Sequence, residues 1–317
     1  PYTGTLVNLG LLKNKRNGAI NKLSRFNHFK KFLNEKEIDV VLDFRLRKNY
    51  FKEWLLANYV YKNLHLIYMV RSSKLSYYFP GRGTRTKNLF AKASSINCVS
   101  KEIEKKINTE YGLKNTSFIQ NPVDFEEMEK LATQNFNEDQ SYILAAGRMS
   151  LDIKQFDKLI MTYAQSNLPQ QGIALKIIGD GKLKKEYRQL AKALRVDAMV
   201  HFEGYVENPF SYFKNALFTV LCSKFEGSPR VLIESLACGT PVIAMNCPTG
   251  PSELITNKKN GLLLPENDFD ALKIALNDFS ENEELRQICA DNARSSVSHH
   301  SLEQVGKSWQ KLLNFAS

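Results

Sequence analysis

The sequence has no long uncharged apolar run and no regular spacing of cysteine or histidine. No segment approaches the roughly 20 apolar residues that a membrane-spanning helix requires. The five cysteines are odd in number and irregularly spaced, which fits neither a disulfide framework nor a C-x-x-C metal site. The five histidines do not follow the spacing of zinc ligands either. We therefore expect no metal site and a reducing, cytoplasmic environment.

Negative charge is scarce in the first half of the chain. Residues 1–140 contain 24 Lys and Arg against 14 Asp and Glu, whereas residues 141–317 contain 20 against 19. This one-sided excess of positive charge favours an anionic partner for the first half. We expect a phospholipid surface or a lipid-diphosphate acceptor rather than nucleic acid. The alternative is a lysine-rich face that only keeps the protein in solution.

Short β-branched runs alternate with amphipathic stretches along the chain, which predicts βαβ units and parallel sheets. At 317 residues the chain exceeds the roughly 250 residues at which single cores stop growing, so we expect two domains. Residues 38–44 are predicted to form a buried strand of the first domain, and residues 142–147 to begin the second. Residues 125–140 are acidic and polar and are interpreted as the interdomain connection. The predicted domains are residues 1–135 on the acceptor side, residues 136–300 on the donor side, and a C-terminal helix at 301–317.

The first domain is short for this architecture. A βα unit with a glycine-rich turn should precede the strand at residues 38–44, and the sequence before that strand contains none. We therefore expect that the first domain lacks its first βα unit.

Residues 224–234 carry the strongest sequence signal. They follow a strand predicted to end near Leu221 and open a helix with Pro229 close to its first turn. The backbone N–H groups at 227–232 are predicted to be free at the positive end of the helix dipole, where a diphosphate binds. Glu226 lies in the loop and Glu234 inside the helix, so the two carboxylates can face one ligand from different depths. We expect a hydroxyl-rich ligand such as a sugar or a ribose.

This E-x7-E pattern and the run at 237–244 resemble the retaining glycosyltransferases of family 4. Residues 250–254 and 260–265 are similar to a subgroup that builds bacterial capsule, O-antigen and lipopolysaccharide-core sugars. The resemblance spans roughly residues 95–290. It implies the GT-B fold, in which a cleft between two Rossmann-like domains holds the donor. It also implies that the C-terminal helix crosses back onto the first domain.

The resemblance implies roles for individual residues. Glu234 would bond the ribose hydroxyls of the donor, and Glu226 would lie near the donor sugar and its anomeric carbon. Arg148 and Lys154 match a pair of cations that would neutralise the leaving diphosphate, so that neither a metal nor another cofactor is needed. Gln155 stands where the family often has glycine. The remaining donor-side positions are Gly147, Gly179, Gly227, Ser228, Pro229, Arg230, Val231 and Leu232.

The first domain offers two further candidates. Arg71 follows a predicted strand, and some polysaccharide-building members of the family carry a Ser-x-Arg loop there. Arg71 is therefore a candidate for binding the donor sugar or phosphate, with a plain surface arginine as the alternative. Residues 77–87 combine aromatic side chains with three cations, Arg82, Arg85 and Lys87. This segment is expected to bind an acceptor phosphate or to enter a lipid headgroup layer, unless it is only a loop before a basic helix.

The sequence thus predicts a retaining glycosyltransferase that uses a nucleotide diphosphate sugar, with a UDP-sugar preferred. The expected acceptor is a lipid-linked or growing surface glycan at the inner face of the cell membrane. Two other classes remain open: a GT-B-fold UDP-sugar epimerase and a non-catalytic nucleotide-sugar-binding fragment.

Overall fold

The computed structural model describes residues 6–7, 18–134 and 140–314, and parallel strands alternate with helices throughout them. The first sheet has four strands in the order β1-β2-β3-β4. Its strands are β1 (Val40–Asp43), β2 (His65–Val70), β3 (Ser95–Cys98) and β4 (Thr116–Phe118). The helices of this part are α1 (Gly18–Glu35), α2 (Tyr50–Leu55), which continues as a π-helical turn (Leu56–Val60), a 3₁₀ turn (Leu75–Tyr77), α3 (Thr84–Phe90) and α4 (Lys101–Tyr111).

The second sheet has six parallel strands in the order β10-β9-β8-β5-β6-β7. Its strands are β5 (Tyr142–Ala146), β6 (Ala174–Ile178), β7 (Val200–Gly204), β8 (Thr219–Leu221), β9 (Val242–Met245) and β10 (Gly261–Leu264). The helices are α5 (Phe125–Ala132), α6 (Phe156–Ala164), α7 (Lys184–Ala193), α8 (Phe210–Asn215), α9 (Arg230–Ala237), α10 (Pro251–Leu254), α11 (Phe269–Glu281), α12 (Glu283–Ser296) and α13 (Leu302–Asn314), with a 3₁₀ turn (Ser298–His300) before α13.

Side-chain caps fix where several helices begin. The hydroxyl of Ser100 accepts a hydrogen bond from the N–H of Ile103 at the start of α4. The carboxylate of Asp124 accepts one from the N–H of Glu127 at the start of α5. Such caps satisfy N–H groups that have no partner inside the helix. Gly112 ends α4 with φ of 62°, a conformation that glycine adopts without steric cost.

Apolar packing divides the molecule between the two sheets. One cluster of buried side chains covers one face of the first sheet and includes Tyr68, Phe90 and Ile103. Two further clusters cover the two faces of the second sheet, one centred on Leu159 and the other on Leu232. Because helices cover both faces of this parallel sheet, its central strands β5, β6, β8 and β9 are buried along their length. The predicted α/β class with two parallel sheets is confirmed.

The predicted connection at 125–140 differs from the structure. Residues 125–132 form α5, which packs beside α8, and Met128 and Ala132 belong to a core cluster of the second sheet. The acidic residues Glu126 and Glu127 suit the first turn of this helix because they face its positive end. The rest of the predicted connection, residues 135–139, lies outside the described residues. The domain boundaries themselves remain predictions.

A buried charged cluster fixes the loop that follows β1. The guanidinium of Arg47 has no exposed surface and donates hydrogen bonds to four backbone carbonyls, those of Asp43, Arg45, Met69 and Tyr78. Arg45 forms ion pairs with both Asp43 and Glu53. The backbone N–H of Arg47 donates to the carbonyl of Tyr77 at 2.8 Å. These bonds tie the β1–α2 loop to the segment that follows β2.

Candidate active site

The predicted donor-side residues gather where the strand order of the second sheet reverses. Strand β5 lies between β8 and β6, so the chain leaves β5 and β8 in opposite directions. In open α/β sheets, ligands bind in the crevice outside the carboxyl ends of the strands at this switch point. The loop after β5 carries Arg148 and Lys154, and the loop after β8 carries Glu226 and Gly227. The fold therefore places these four residues around one crevice.

Lys154 and Glu226 form a direct ion pair. The ammonium nitrogen of Lys154 lies 2.7 Å from a carboxylate oxygen of Glu226, and the two side chains are 19% and 14% exposed. At this burial the pair is less screened by solvent than a surface pair. Arg148 is exposed, and within the described residues its guanidinium has no hydrogen-bond or ion-pair partner. The structure thus brings together two of the three predicted catalytic residues and leaves the third free beside them.

Gly147 and Gly179 hold the β5 and β6 loops against each other. The N–H of Gly147 donates to the carbonyl of Ile178, and a Cβ on Gly179 would lie 2.0 Å from the carbonyl oxygen of Gly147. Gly179 also has φ of 129°, which L-residues with side chains rarely adopt. Gly179 therefore allows close backbone approach, whereas a Cβ on Gly147 would lie 2.9 Å from the side chain of Lys154.

The backbone at Gln155 adopts a conformation that favours glycine. It precedes α6 with φ of 50° in the left-handed region, where a side chain carries a steric cost. The side chain of Gln155 is buried. With Gln155 in this conformation, Lys154 lies in the crevice and pairs with Glu226.

Helix α9 presents its N-terminus to the same crevice. The helix begins at Arg230, with Pro229 as its N-cap. The sequence prediction was wrong for Leu232, because its N–H donates to the carbonyl of Pro229 and is not free. Proline itself has no N–H. Within the described residues, the N–H groups of Gly227, Ser228, Arg230 and Val231 have no acceptor.

Glu234 lies one turn inside α9 and is already engaged. Its carboxylate is 16% exposed and lies 2.8 Å from the guanidinium of Arg230, whose own side chain is 70% exposed. Burial raises the pKa of Glu234, and the nearby Arg230 opposes that rise. A ligand hydroxyl can take the place of Arg230 at this carboxylate, because the side chain of Glu234 is buried whereas that of Arg230 is exposed.

The loop after β2 closes onto the α9 turn. The N–H of Ser73 donates to the carbonyl of Glu226 at 3.1 Å, and a Cβ on Gly227 would lie 2.2 Å from the carbonyl oxygen of Arg71. Only glycine at position 227 allows this approach. Arg71 is half-buried with its guanidinium over the ring of Phe44, and burial lowers its pKa. Within the described residues Arg71 has no carboxylate partner.

Two glutamates that the sequence prediction did not identify join the halves of the molecule. Glu253, on α10, accepts hydrogen bonds from the N–H groups of Lys101 and Glu102 at the start of α4. Glu102 in turn accepts from the N–H of Gly250 and the hydroxyl of Ser252 at the start of α10. We call this reciprocal contact the glutamate clasp. Its only sequence signal is an acidic residue in the first turn of each helix.

Solved structures with the same architecture define the class of this fold. The Anabaena Alr3699/HepE structure in complex with UDP matches with a TM-score of 0.75 and 19% identity, over 94% of this chain and 84% of that one. The pneumococcal O-GlcNAc transferase GtfA in complex with UDP and GlcNAc matches with a TM-score of 0.73 and 13% identity, over 90% of this chain and 59% of that one. The fold is therefore GT-B, as the resemblance implied.

The family follows from the sequence. The model of the family "Glycosyl transferases group 1" matches residues 126–296, which is more than half of the chain. The chain belongs to this family. The matched region contains every predicted donor-side residue of the second sheet.

Two of the curated relatives are bacterial glycosyltransferases with named substrates or products. The amylovoran biosynthesis glycosyltransferase AmsD of Erwinia amylovora is 26% identical over 70% of this chain and 62% of its own length. A Campylobacter jejuni N-acetylgalactosaminyltransferase, named for a diphospho-undecaprenol substrate, is 30% identical over 57% of this chain and 49% of its own length. The matched part of the chain thus spans about half to two thirds of these relatives.

Two kinds of feature are absent from the described residues. No helix among them is long and apolar enough to cross a bilayer. No group of three or more His, Cys, Asp or Glu side chains among them is arranged to hold a metal ion.

Proposed function

We propose that the chain transfers a sugar from a nucleotide diphosphate sugar to a lipid-linked or growing surface glycan, with retention at the anomeric carbon. The observation that carries this proposal is the crevice at the switch point, where the Lys154–Glu226 pair faces the free N–H groups of α9. The HepE and GtfA structures, which contain UDP, support a UDP-sugar as the donor. The diphospho-undecaprenol in the name of the Campylobacter relative supports a lipid-linked acceptor.

The proposed donor lies along the crevice with its ribose at Glu234 and its diphosphate at α9. Arg148, Lys154 and the N–H groups of Gly227 and Ser228 would stabilise the diphosphate as it leaves, since charge grows there as the bond breaks. The bond between the anomeric carbon and the diphosphate oxygen breaks, and a new bond to the acceptor hydroxyl forms on the same face. The hydroxyl proton passes to the leaving phosphate.

Nucleotide affinity tests the donor assignment. UDP is expected to bind the full chain in the presence of a metal chelator, because cations and N–H groups of the protein meet the diphosphate. Glu234→Ala removes a charge-assisted contact with the ribose, worth about 1.5–3 kcal/mol. We therefore expect UDP affinity to fall by about 10- to 150-fold in isothermal titration calorimetry.

Glu303→Ala provides the matched control. Glu303 also forms an i,i+4 ion pair, with Lys307 on α13, and it is exposed. UDP affinity should remain at the parent value in this variant. Loss of UDP binding on adding the chelator would contradict the metal-free account, and equal affinity in Glu234→Ala and the parent would remove the ribose assignment.

We further propose that the basic first half associates with anionic membranes. Arg82, Arg85 and Lys87 lie in the turn before α3 and in its first half, and Arg82 also pairs with Glu110. Electrostatic attraction of this kind acts over about 8 Å at physiological ionic strength. Sedimentation with anionic vesicles should therefore fall steeply as salt rises, and vesicles of neutral lipid should bind poorly.

Charge removal tests the same association. Replacing Arg82, Arg85 and Lys87 together with Gln should weaken it by about 1 kcal/mol per cation near the surface. The control replaces three lysines of the second half, Lys182, Lys185 and Lys259, and should sediment like the parent. Sedimentation that ignores both lipid charge and salt would show that the basic excess serves solubility alone.

A further inference from the structure

Three cations near the mouth of the cleft have no carboxylate partner within the described residues. They are Lys48 in the β1–α2 loop, and Arg71 and Lys74 in the segment after β2. Some other cations of the first half are paired, such as Arg45 with Glu53 and Arg82 with Glu110.

Two of these cations share one aromatic ring. The ammonium nitrogens of Lys48 and Lys74 lie 5.4 Å and 4.9 Å from the ring centroid of Tyr77. Lys74 also lies 5.8 Å from the ring centroid of Phe225, which belongs to the loop after β8. Cation–π contacts at these distances hold an ammonium in place without neutralising its charge. The two like charges repel each other, and an anion between them would relieve that repulsion.

The backbone holds this arrangement beside the proposed reaction centre. The N–H of Arg47, the residue before Lys48, donates to the carbonyl of Tyr77. The N–H of Ser73, the residue before Lys74, donates to the carbonyl of Glu226. The two lysines are therefore anchored through their neighbours, one to the buried Arg47 cluster and the other to the loop that carries Glu226.

We propose that Lys48, Lys74 and Tyr77 form an anion subsite for a phosphate group of the acceptor. This inference rests on the proposed function, in which the donor diphosphate occupies Arg148, Lys154 and the start of α9. Lys48 and Tyr77 belong to the first half of the molecule, on the other side of the Glu226 turn. An acceptor linked to its lipid through phosphate would place its charge here and its sugar hydroxyl toward Glu226.

The test uses the full chain saturated with UDP, so that the donor site is filled. Farnesyl diphosphate is then titrated as the probe, with farnesol as the uncharged counterpart. We expect farnesyl diphosphate to bind beside UDP, and the Lys48→Gln/Lys74→Gln double variant to lower its affinity by about tenfold or more. Farnesol binding should be equal in the parent and the variant.

A second double variant, Lys62→Gln/Lys105→Gln, removes two exposed lysines of the same half that lie outside this group. Its affinity for farnesyl diphosphate should equal that of the parent. Inorganic diphosphate is a second probe, which carries the phosphate charge without a lipid. If it binds beside UDP and its affinity falls in the Lys48→Gln/Lys74→Gln variant, the subsite is supported. If it displaces UDP instead, the subsite is overturned. Equal affinity of farnesyl diphosphate for the Lys48→Gln/Lys74→Gln variant and the parent also overturns it. If UDP itself fails to bind the parent chain, the proposed function fails and the subsite is not the cause.

Discussion

Replacing Lys154 with Met is expected to lower kcat by about 10²–10³-fold, the range seen when one group that stabilises developing charge is removed. The affinity for UDP should change much less, because the ammonium meets a charge that grows only as the sugar–phosphate bond breaks. The measurement is sugar transfer from a UDP-sugar to a lipid-linked acceptor under saturating conditions, with UDP affinity from calorimetry. A kcat equal to that of the parent would contradict the role.

Loss of Lys154 also lowers the stability of the fold, and this effect has to be measured separately from the effect on turnover. It leaves the carboxylate of Glu226, 14% exposed, without its cation, and an unpaired buried charge destabilises the fold. Adding Glu226→Gln removes that charge. We expect the double variant to regain most of the parent's thermal stability, whereas its turnover stays low because both predicted catalytic residues of the pair have been replaced. Recovered turnover in the double variant would show that Lys154 acts only by neutralising Glu226.

Replacing Arg47 with Met is expected to cost about 3–5 kcal/mol of unfolding free energy, as removal of one partner from a buried charged cluster does. Four carbonyl oxygens lose a donor, and the Arg47 side chain that supplies it is fully buried. Urea unfolding followed by fluorescence measures the effect. In a Trp309→Phe background, Trp54 in α2 is the remaining tryptophan, and it lies next to Glu53 of the cluster.

Arg82→Met is the control in the same half of the molecule. The side chain of Arg82 is 72% exposed and forms a 2.6 Å ion pair with Glu110, yet exposed pairs contribute only about 0–1 kcal/mol. Its unfolding midpoint should therefore stay close to that of the parent. Equal losses in the Arg47 and Arg82 variants would show that the buried cluster does not set the stability of this half.

The shared location of Arg148, Lys154, Glu226 and Gly227 could be predicted from the sequence because these residues follow strand ends. The strand predicted to end near Leu221 is β8 (Thr219–Leu221), and the carboxyl ends of parallel strands meet at one edge. Arg148, Lys154, Glu226 and Gly227 therefore arrive in one crevice whatever the details of the loops. The ion pair between Lys154 and Glu226 was not predictable, because 72 residues separate the partners and only the β5–β8 neighbour relation brings them together.

Other features depend on context that local patterns do not carry. The apolar run at residues 38–44 predicted a buried strand, but β1 is an edge strand of the described sheet and Leu42 is 40% exposed. Hydrophobic periodicity cannot distinguish a buried strand from an edge strand here, because both give a short apolar run. The clasp between Glu102 and Glu253 was missed for a similar reason, since it joins helices about 150 residues apart.

The glutamate clasp also decides where an anion can bind in the cleft. Helix N-termini attract phosphate because their first N–H groups lack partners. At α4 and α10 the positions are already taken, since Glu253 covers the first two N–H groups of one helix and Glu102 covers the Gly250 N–H of the other. A phosphate would have to expel a tethered carboxylate to bind at either helix. Carboxylates of the molecule itself thus occupy the N-termini of α4 and α10. Among these three helices, α9 is the one whose N-terminal N–H groups remain free.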